Sequence, residues 1–283
     1  MTEMDTVAAS LEMGMRALGG HSDSPRLDAE LLLCKVLDLS RSALIVRAAE
    51  PVAVESRHAY EHLLAERVHG APVAYLTGTR EFWSLELMVT PDVLVPRPET
   101  EVLVELALAL LPAHEARSLL DLGTGSGAIV LAIASERPRI RATGTDISER
   151  ALAIAAANSA KLGLRHIRWR LGSWFDSVPG ERFDMIVANP PYVAANDPAL
   201  ARLAAEPAFA LTSGATGLEA LSGIVAGAAS HLSPRGWLLL EHGSGQAQDV
   251  AGMLERGGFS GIRSHTDYSG RTRVTLGTVH SPR

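Results

Sequence analysis

The stretch Leu119-Leu120-Asp121-Leu122-Gly123-Thr124-Gly125-Ser126-Gly127 decides how this chain is read. Four mostly apolar residues form a short buried strand, and three glycines then alternate before an alanine-rich helix. Glycine tolerates left-handed backbone and has no Cβ, so such a turn lets a ligand approach the chain while helix N–H groups face it. Asp146 ends the next strand, 19 residues after Gly127. A carboxylate at that distance can accept hydrogen bonds from both hydroxyls of a ribose. Gly123, Gly125, Gly127 and Asp146 together point to an adenosine-type cofactor, with Thr124 and Ser126 in the same loop. Gly123, Gly125 and Ala128 also fit the permissive dinucleotide pattern, so an NAD enzyme competes at this stage. Asp121 argues against a pyrophosphate, whose charge it would repel, and for a ligand carrying positive charge.

A second strand, Met185-Ile186-Val187-Ala188, runs into Asn189-Pro190-Pro191-Tyr192. Proline lacks an N–H and restricts the residue before it, so the loop is stiff and holds one amide at the strand end. An amide carries an acceptor oxygen and two donor hydrogens, and so matches another amide or an amino group. The plainer alternative is a rigid turn whose Asn caps the strand. In open α/β sheets ligands bind outside the carboxyl ends of the strands, near the switch in strand order. The proline loop and the glycine loop are then expected to face one crevice. Transfer of a methyl group to a planar nitrogen has a use for such a loop. Hydride transfer has none.

Strands are expected at about 118–122, 141–146, 167–171, 183–188 and 236–241, with helices at about 127–136, 148–162, 217–232 and 245–256. This alternation predicts a parallel sheet covered on both faces. Residues 262–267 and 272–279 read as an antiparallel hairpin that closes it. The front of the chain, residues 1–75, reads as helices only. Val7, Leu11, Met15 and Leu18 share a face, Gly19-Gly20 ends that helix, and Ser24-Pro25 starts the next with Ser24 as a side-chain cap. Asp28 and Glu30 follow as acidic residues near that helix start. Further helices are expected at 42–49 and 54–68. Residues 76–98 are expected to form a linking hairpin, with one strand at Leu85–Val89 and the other at Val93–Val95. Thr100 is expected to cap a helix from Val102 to Leu111, and residues 99–283 form the sheet domain.

The 283 residues carry a formal net charge of -6, which argues against a broad nucleic-acid surface. The cluster Lys161, Arg165, His166, Arg168 and Arg170 reads as a solvated helix end. Cys34, the one cysteine, is expected to be a buried core thiol. Met1-Thr2-Glu3-Met4-Asp5 lacks the features of a signal peptide, and no apolar run approaches the ~20 residues of a membrane span. The expectation is a cytoplasmic protein with no membrane, metal or direct nucleic-acid partner.

Taken together, these stretches resemble a known family. The glycine loop, Asp146 and Asn189-Pro190-Pro191-Tyr192 are similar to class I S-adenosylmethionine-dependent methyltransferases that act on planar nitrogens. The order of Ser24–Glu30, Tyr75–Trp83, Val95-Pro96-Arg97-Pro98-Glu99-Thr100-Glu101, the two loops, Leu240-Glu241-His242-Gly243 and Arg273–Gly277 resembles the release-factor glutamine methyltransferases. The resemblance implies a Rossmann-like sheet behind a small helical bundle, S-adenosylmethionine as cofactor, and N5-methylation of the glutamine in the Gly-Gly-Gln motif of class-1 peptide release factors. It implies that Asp121, Gly123 to Gly127, Asp146 and Asn189 contact the cofactor, with Trp174 near the adenine. Asn189, Pro190, Pro191 and Tyr192 would hold the substrate glutamine, with Asn189, Pro190 and Tyr192 catalytic and Tyr192 packed on the flat amide. Residues 1–75 would dock the protein substrate. A DNA N6-adenine or N4-cytosine methyltransferase is the alternative, and it would need a basic duplex-binding surface. One departure is Ala205 before Glu206-Pro207, where the family usually carries an aromatic residue.

Overall fold

A computed structural model describes residues 6–279, so the reading of Met1–Asp5 lies outside the described residues. The chain divides into two compact units with the boundary between Thr79 and Arg80.

The first unit is helical. It comprises α1 (Val7–Leu18), α2 (Pro25–Leu37), α3 (Arg41–Val46), α4 (Val54–Val68) and α5 (Val73–Thr77). Leu18, Leu32, Leu33, Leu44, Tyr60 and Leu64 form its core. The Tyr60 hydroxyl is buried and donates to the Ala29 carbonyl at 3.1 Å. A Cβ at position 14 would strike that hydroxyl at 2.0 Å, so Gly14 lets α1 approach. Two expectations need correction. Ser24 makes no side-chain cap; its hydroxyl donates to Asp28 instead. Asp28 stands in the first turn as expected, and also accepts from Arg67 on α4 at 2.8 Å. Cys34 is only partly buried, at the rim of the core.

A hairpin of β1 (Thr79–Phe82) and β2 (Leu85–Met88) begins at the unit boundary. The expected pairing of Leu85–Val89 with Val93–Val95 is therefore wrong by one strand. Val95 gives its N–H to the Glu206 carboxylate at 3.1 Å, not to a ladder. The β1–β2 turn places Trp83 and Ser84 at φ 53° and 57°, as a tight primed hairpin turn requires. Glu101 accepts from the Trp83 N–H at 2.9 Å and Glu136 from its indole at 3.1 Å. These bonds hold a conformation that asparagine and glycine adopt at lower cost.

Next come a 3-10 turn at Pro98–Thr100, α6 (Glu101–Leu110), β3 (Ser118–Leu122), α7 (Ala128–Glu136), β4 (Arg141–Asp146), α8 (Glu149–Lys161), β5 (Arg168–Leu171) and β6 (Phe183–Ala188). A second 3-10 turn at Pro198–Leu203 leads to α9 (Ala208–Leu211), α10 (Glu219–His231), β7 (Leu232–Glu241), α11 (Ala247–Arg256), β8 (Phe259–Thr266) and β9 (Thr272–Val279). The sheet order is β5-β4-β3-β6-β7-β9-β8. The strands from β5 to β7 are parallel and β9 runs antiparallel between β7 and β8, as expected.

Side chains alternate across each strand. Leu119, Met185, Val187 and Leu239 face a core shared with α6 and α7. Leu120, Leu122, Ile186, Ala188, Leu238 and Leu240 face one shared with α10 and α11. Both edges of the sheet are interrupted. β5 is four residues long with Arg168 and Arg170 exposed, and β8 changes register twice against β9.

Ser84→Gly should relieve the left-handed backbone at the hairpin turn and stabilise this unit by ~0.5–1 kcal/mol. Urea denaturation would show a higher midpoint with an unchanged slope. A lower midpoint would mean that the Ser84 side chain supplies something its conformation costs.

Candidate active site

The parallel register sets the site. Leu122 pairs with Ala188 and Ala188 with Leu240, so the loops after β3, β6 and β7 leave the sheet at one level. By alternation Asp121, Asn189 and Glu241 fall on the face covered by α6 and α7. An open cleft of about 220 Å³ lies at these strand ends.

Gly123, Thr124, Gly125 and Ser126 line this cleft, with Asp146, Trp174, Asn189, Pro190 and Pro191. Gly123, Gly125 and Gly127 all take positive φ. Gly127 starts α7 from behind the lining, where a Cβ would strike Leu131 at 2.9 Å. Asp146 accepts from the Gly125 N–H and the Ser148 N–H, both at 2.9 Å. Burial raises its carboxyl above the usual range, against the pull of those amides and of Ile147. Ile147 also lines the cleft and is 58% exposed, an apolar side chain left open beside the carboxylate. Trp174 sits at φ 44° next to Gly123.

Besides Gly127, two expected site residues lie outside the lining. Asp121 is fully buried and does not line the cleft. Its carboxylate accepts the Thr124 hydroxyl at 2.6 Å, so it braces the glycine loop from beneath. Burial pushes it up to about 7, partly offset by Thr124 and the Val130 amide. Tyr192 also stands outside the lining. It is half-buried against the α10–α11 core, and its carbonyl accepts from Gln246 at 3.0 Å. Burial raises its hydroxyl above the ordinary range.

Several lining residues escape a reading of the sequence. Asp92, Val93, Leu94, Pro96 and Arg97 form one wall, and Phe209 and Ala210 reach in from α9. The buried Glu206 ties these walls together by accepting from Val95 and pairing with Arg97. The signal was the same Glu206-Pro207 motif, but its partners are about a hundred residues away. Thr100 stands at the N-cap position of α6 but makes no side-chain capping bond. It lines the cleft and its hydroxyl accepts from the Asn189 amide at 3.2 Å.

The lining suits an adenosine group: a carboxylate for ribose hydroxyls, open apolar surface at Ile147 and Trp174 for a flat base, and bare backbone at the glycines. Comparison with known proteins agrees. Residues 10–78 match the family described as PrmC N-terminal domain, and residues 100–248 that described as Methyltransferase small domain. A release factor glutamine methyltransferase of Xylella fastidiosa is 47% identical over 89% of this chain and 92% of its own. One from Vibrio cholerae is 42% identical over 98% of both chains. The chain belongs to the release factor glutamine methyltransferase family. It is an S-adenosylmethionine-dependent methyltransferase. The solved structure of a methyltransferase from Pyrococcus furiosus shares the fold, with a TM-score of 0.55 at 17% identity, covering 78% of this chain and 100% of that one. The cluster Lys161–Arg170 is partly neutralised, since Lys161 pairs with Glu86 and Arg168 with Glu181. Among the described residues no helix is long and apolar enough to cross a membrane.

Asp121 has a consequence for stability. Its folded carboxyl binds a proton up to about pH 7, whereas the unfolded one loses it near 4. Stability therefore falls as pH rises through that window. Asp121→Asn keeps an acceptor for Thr124 without the charge, so it should melt higher at pH 8, by ~2–4 kcal/mol, with the gain vanishing toward pH 4. Thermal melts at both pH values would show this. A difference that does not change with pH would refute the burial of charge at Asp121.

Proposed function

We propose that this protein transfers a methyl group from S-adenosylmethionine to the side-chain N5 of the glutamine in the Gly-Gly-Gln motif of class-1 release factors. The observation that carries this is the Asn189-Pro190-Pro191 wall facing the glycine loop and Asp146 across one cleft. The family's substrate is a glutamine amide, and Asn189 presents the group that pairs with one. Asp146 would hold the ribose hydroxyls, Gly123 to Ser126 the adjoining backbone side, and Ile147 and Trp174 the base. The cofactor supplies a methyl group on a positively charged sulfur.

An amide nitrogen is a weak nucleophile because its lone pair is shared with the carbonyl. Catalysis is then chiefly positioning and electrostatic support. The Asn189 Oδ1 accepts one N–H of the substrate amide and the Pro190 carbonyl accepts the other. Both bonds leave electron density on nitrogen and aim it into the cleft. The methylated amide is strongly acidic at nitrogen and gives its proton to water, so no side-chain base is needed. Arg97, locked by Glu206, and Phe209, 48% exposed, close the far wall. Tyr192 acts from behind, through its carbonyl, by holding the proline loop on Gln246.

The DNA alternative is not favoured: the relatives are named for release factors, and the basic cluster is paired in part. The helical unit is the part of the chain left to recognise the protein substrate, and we assign it that role. Its deletion should raise KM for a whole release factor while sparing turnover of a short Gly-Gly-Gln peptide.

Asn189→Ala should lower methyl transfer to a purified release factor at least 100-fold and leave cofactor affinity within about threefold, since losing one hydrogen bond made in the transition state costs ~3 kcal/mol. Labelled cofactor and calorimetric titration check the two halves. Full activity in that variant would remove the proposal, as would label transfer that survives loss of the substrate's glutamine.

A further inference from the structure

Glu241 is fully buried at the end of β7, and neither carboxylate oxygen makes a hydrogen bond of ordinary geometry. A bare carboxylate in such a place is costly and calls for an explanation. Its neighbours supply one. Ala188 pairs with Leu240, which sets Asn189 and Glu241 side by side where β6 and β7 end. The Thr100 hydroxyl and the Asn189 amide both lie against the carboxyl and draw it toward ionisation. Thr100 in turn accepts from the Asn189 Nδ2 at 3.2 Å.

The chain of groups has a direction. An ionised carboxylate can only accept, so the Thr100 hydroxyl beside it turns its proton toward Glu241. Thr100 then has only lone pairs for Asn189, which must turn its NH2 group inward. The amide oxygen is left facing the cleft. A protonated Glu241 can donate to Thr100 and reverse the chain. Thr100 would then donate to the Asn189 oxygen, and an NH2 group would face the substrate amide, where an acceptor is needed.

We propose that Glu241 is a positioning residue for methyl transfer, acting through Thr100 to fix the Asn189 amide with its oxygen toward the substrate. This rests on the reading that Asn189 accepts a substrate N–H. The surrounding charges are mixed. Glu99, in the 3-10 turn before α6, opposes ionisation of Glu241, and Arg273 on β9 favours it. Tyr192 stays protonated on the proline loop, and burial holds His242, the residue after β7, below its ordinary value. Arg273 is itself shared with Asp267 at 3.0 Å. Burial dominates and pushes Glu241 up to about 7, which puts the reversal in the neutral range.

The test is methyl transfer from labelled S-adenosylmethionine to a purified release factor between pH 5.5 and 9. Wild-type kcat should rise through one ionisation near pH 7 and level off. Glu241→Met should lower kcat at pH 8 about tenfold or more and remove that rise, with cofactor affinity and KM within twofold. Glu241→Gln, which keeps an acceptor but no charge, should lose the rise and retain more activity than Glu241→Met. Thr100→Val should match Glu241→Met, and Thr100→Ser should recover wild-type kcat. A purely structural role predicts altered melting with an unchanged pH profile, and that result would overturn the proposal. So would wild-type kcat in Glu241→Met. If Asn189→Ala is also fully active, the failure lies in the reading of Asn189; if it is inactive while the Glu241 variants match wild type, only the positioning role falls.

Discussion

The level alignment of parallel strands is the constraint on which the rest of this molecule depends. Leu122, Ala188 and Leu240 sit in one row across β3, β6 and β7. Each stands at or next to a strand end, and each end carries a different chemical property. After β3 it is bare backbone and after β6 a rigid amide, while β7 itself ends in a buried acid. A slip of one residue in any strand would turn its side chains to the opposite face. It would carry Asn189 into the α10–α11 core and empty the cleft of its amide. The register is pinned at the other end of β6, where Asp184 accepts from the Ser118 N–H and hydroxyl, both at 2.8 Å. Polar bonds at one end of the strand therefore guard the placement of one functional group at the other.

Charge burial is the second theme. Asp121 and Glu241 are both wholly enclosed on the same face of the sheet. Hydrophobic residues of similar volume would be easier to accommodate at either place. Asp121 fixes the glycine loop through Thr124. Glu241 stands behind Asn189. Each carboxylate costs stability and each lies one layer below a residue of the cleft wall. The cost is thus concentrated where geometry must be defined.

Much of this was legible in the chain itself. The glycine loop, Asp146 and the proline loop were readable because a strand end and its turn are local events. Glycine and proline constrain backbone whatever surrounds them. What failed was judged by local rules but decided by distant partners. Thr100 has the look of a helix cap, yet its hydroxyl belongs to Asn189, 89 residues away. Val93–Val95 has strand composition, yet Val95 is claimed by Glu206. Asp121 was expected to face the ligand. Strand alternation places it one step under the loop instead, and the position alone does not distinguish a ligand from a brace. The resemblance sets Tyr192 on the substrate, whereas the structure packs it against the α10–α11 core, outside the cleft lining.

The two interrupted edges of the sheet carry a consequence for the protein in crowded solution. A sheet edge with unpaired backbone groups is a template for another strand. At β5 the template is only four residues long and bears two exposed arginines, and at β8 two changes of register break its continuity. A second copy of the chain meets charge at one edge and mismatched spacing at the other. Polymerisation by strand addition is thereby discouraged at both ends.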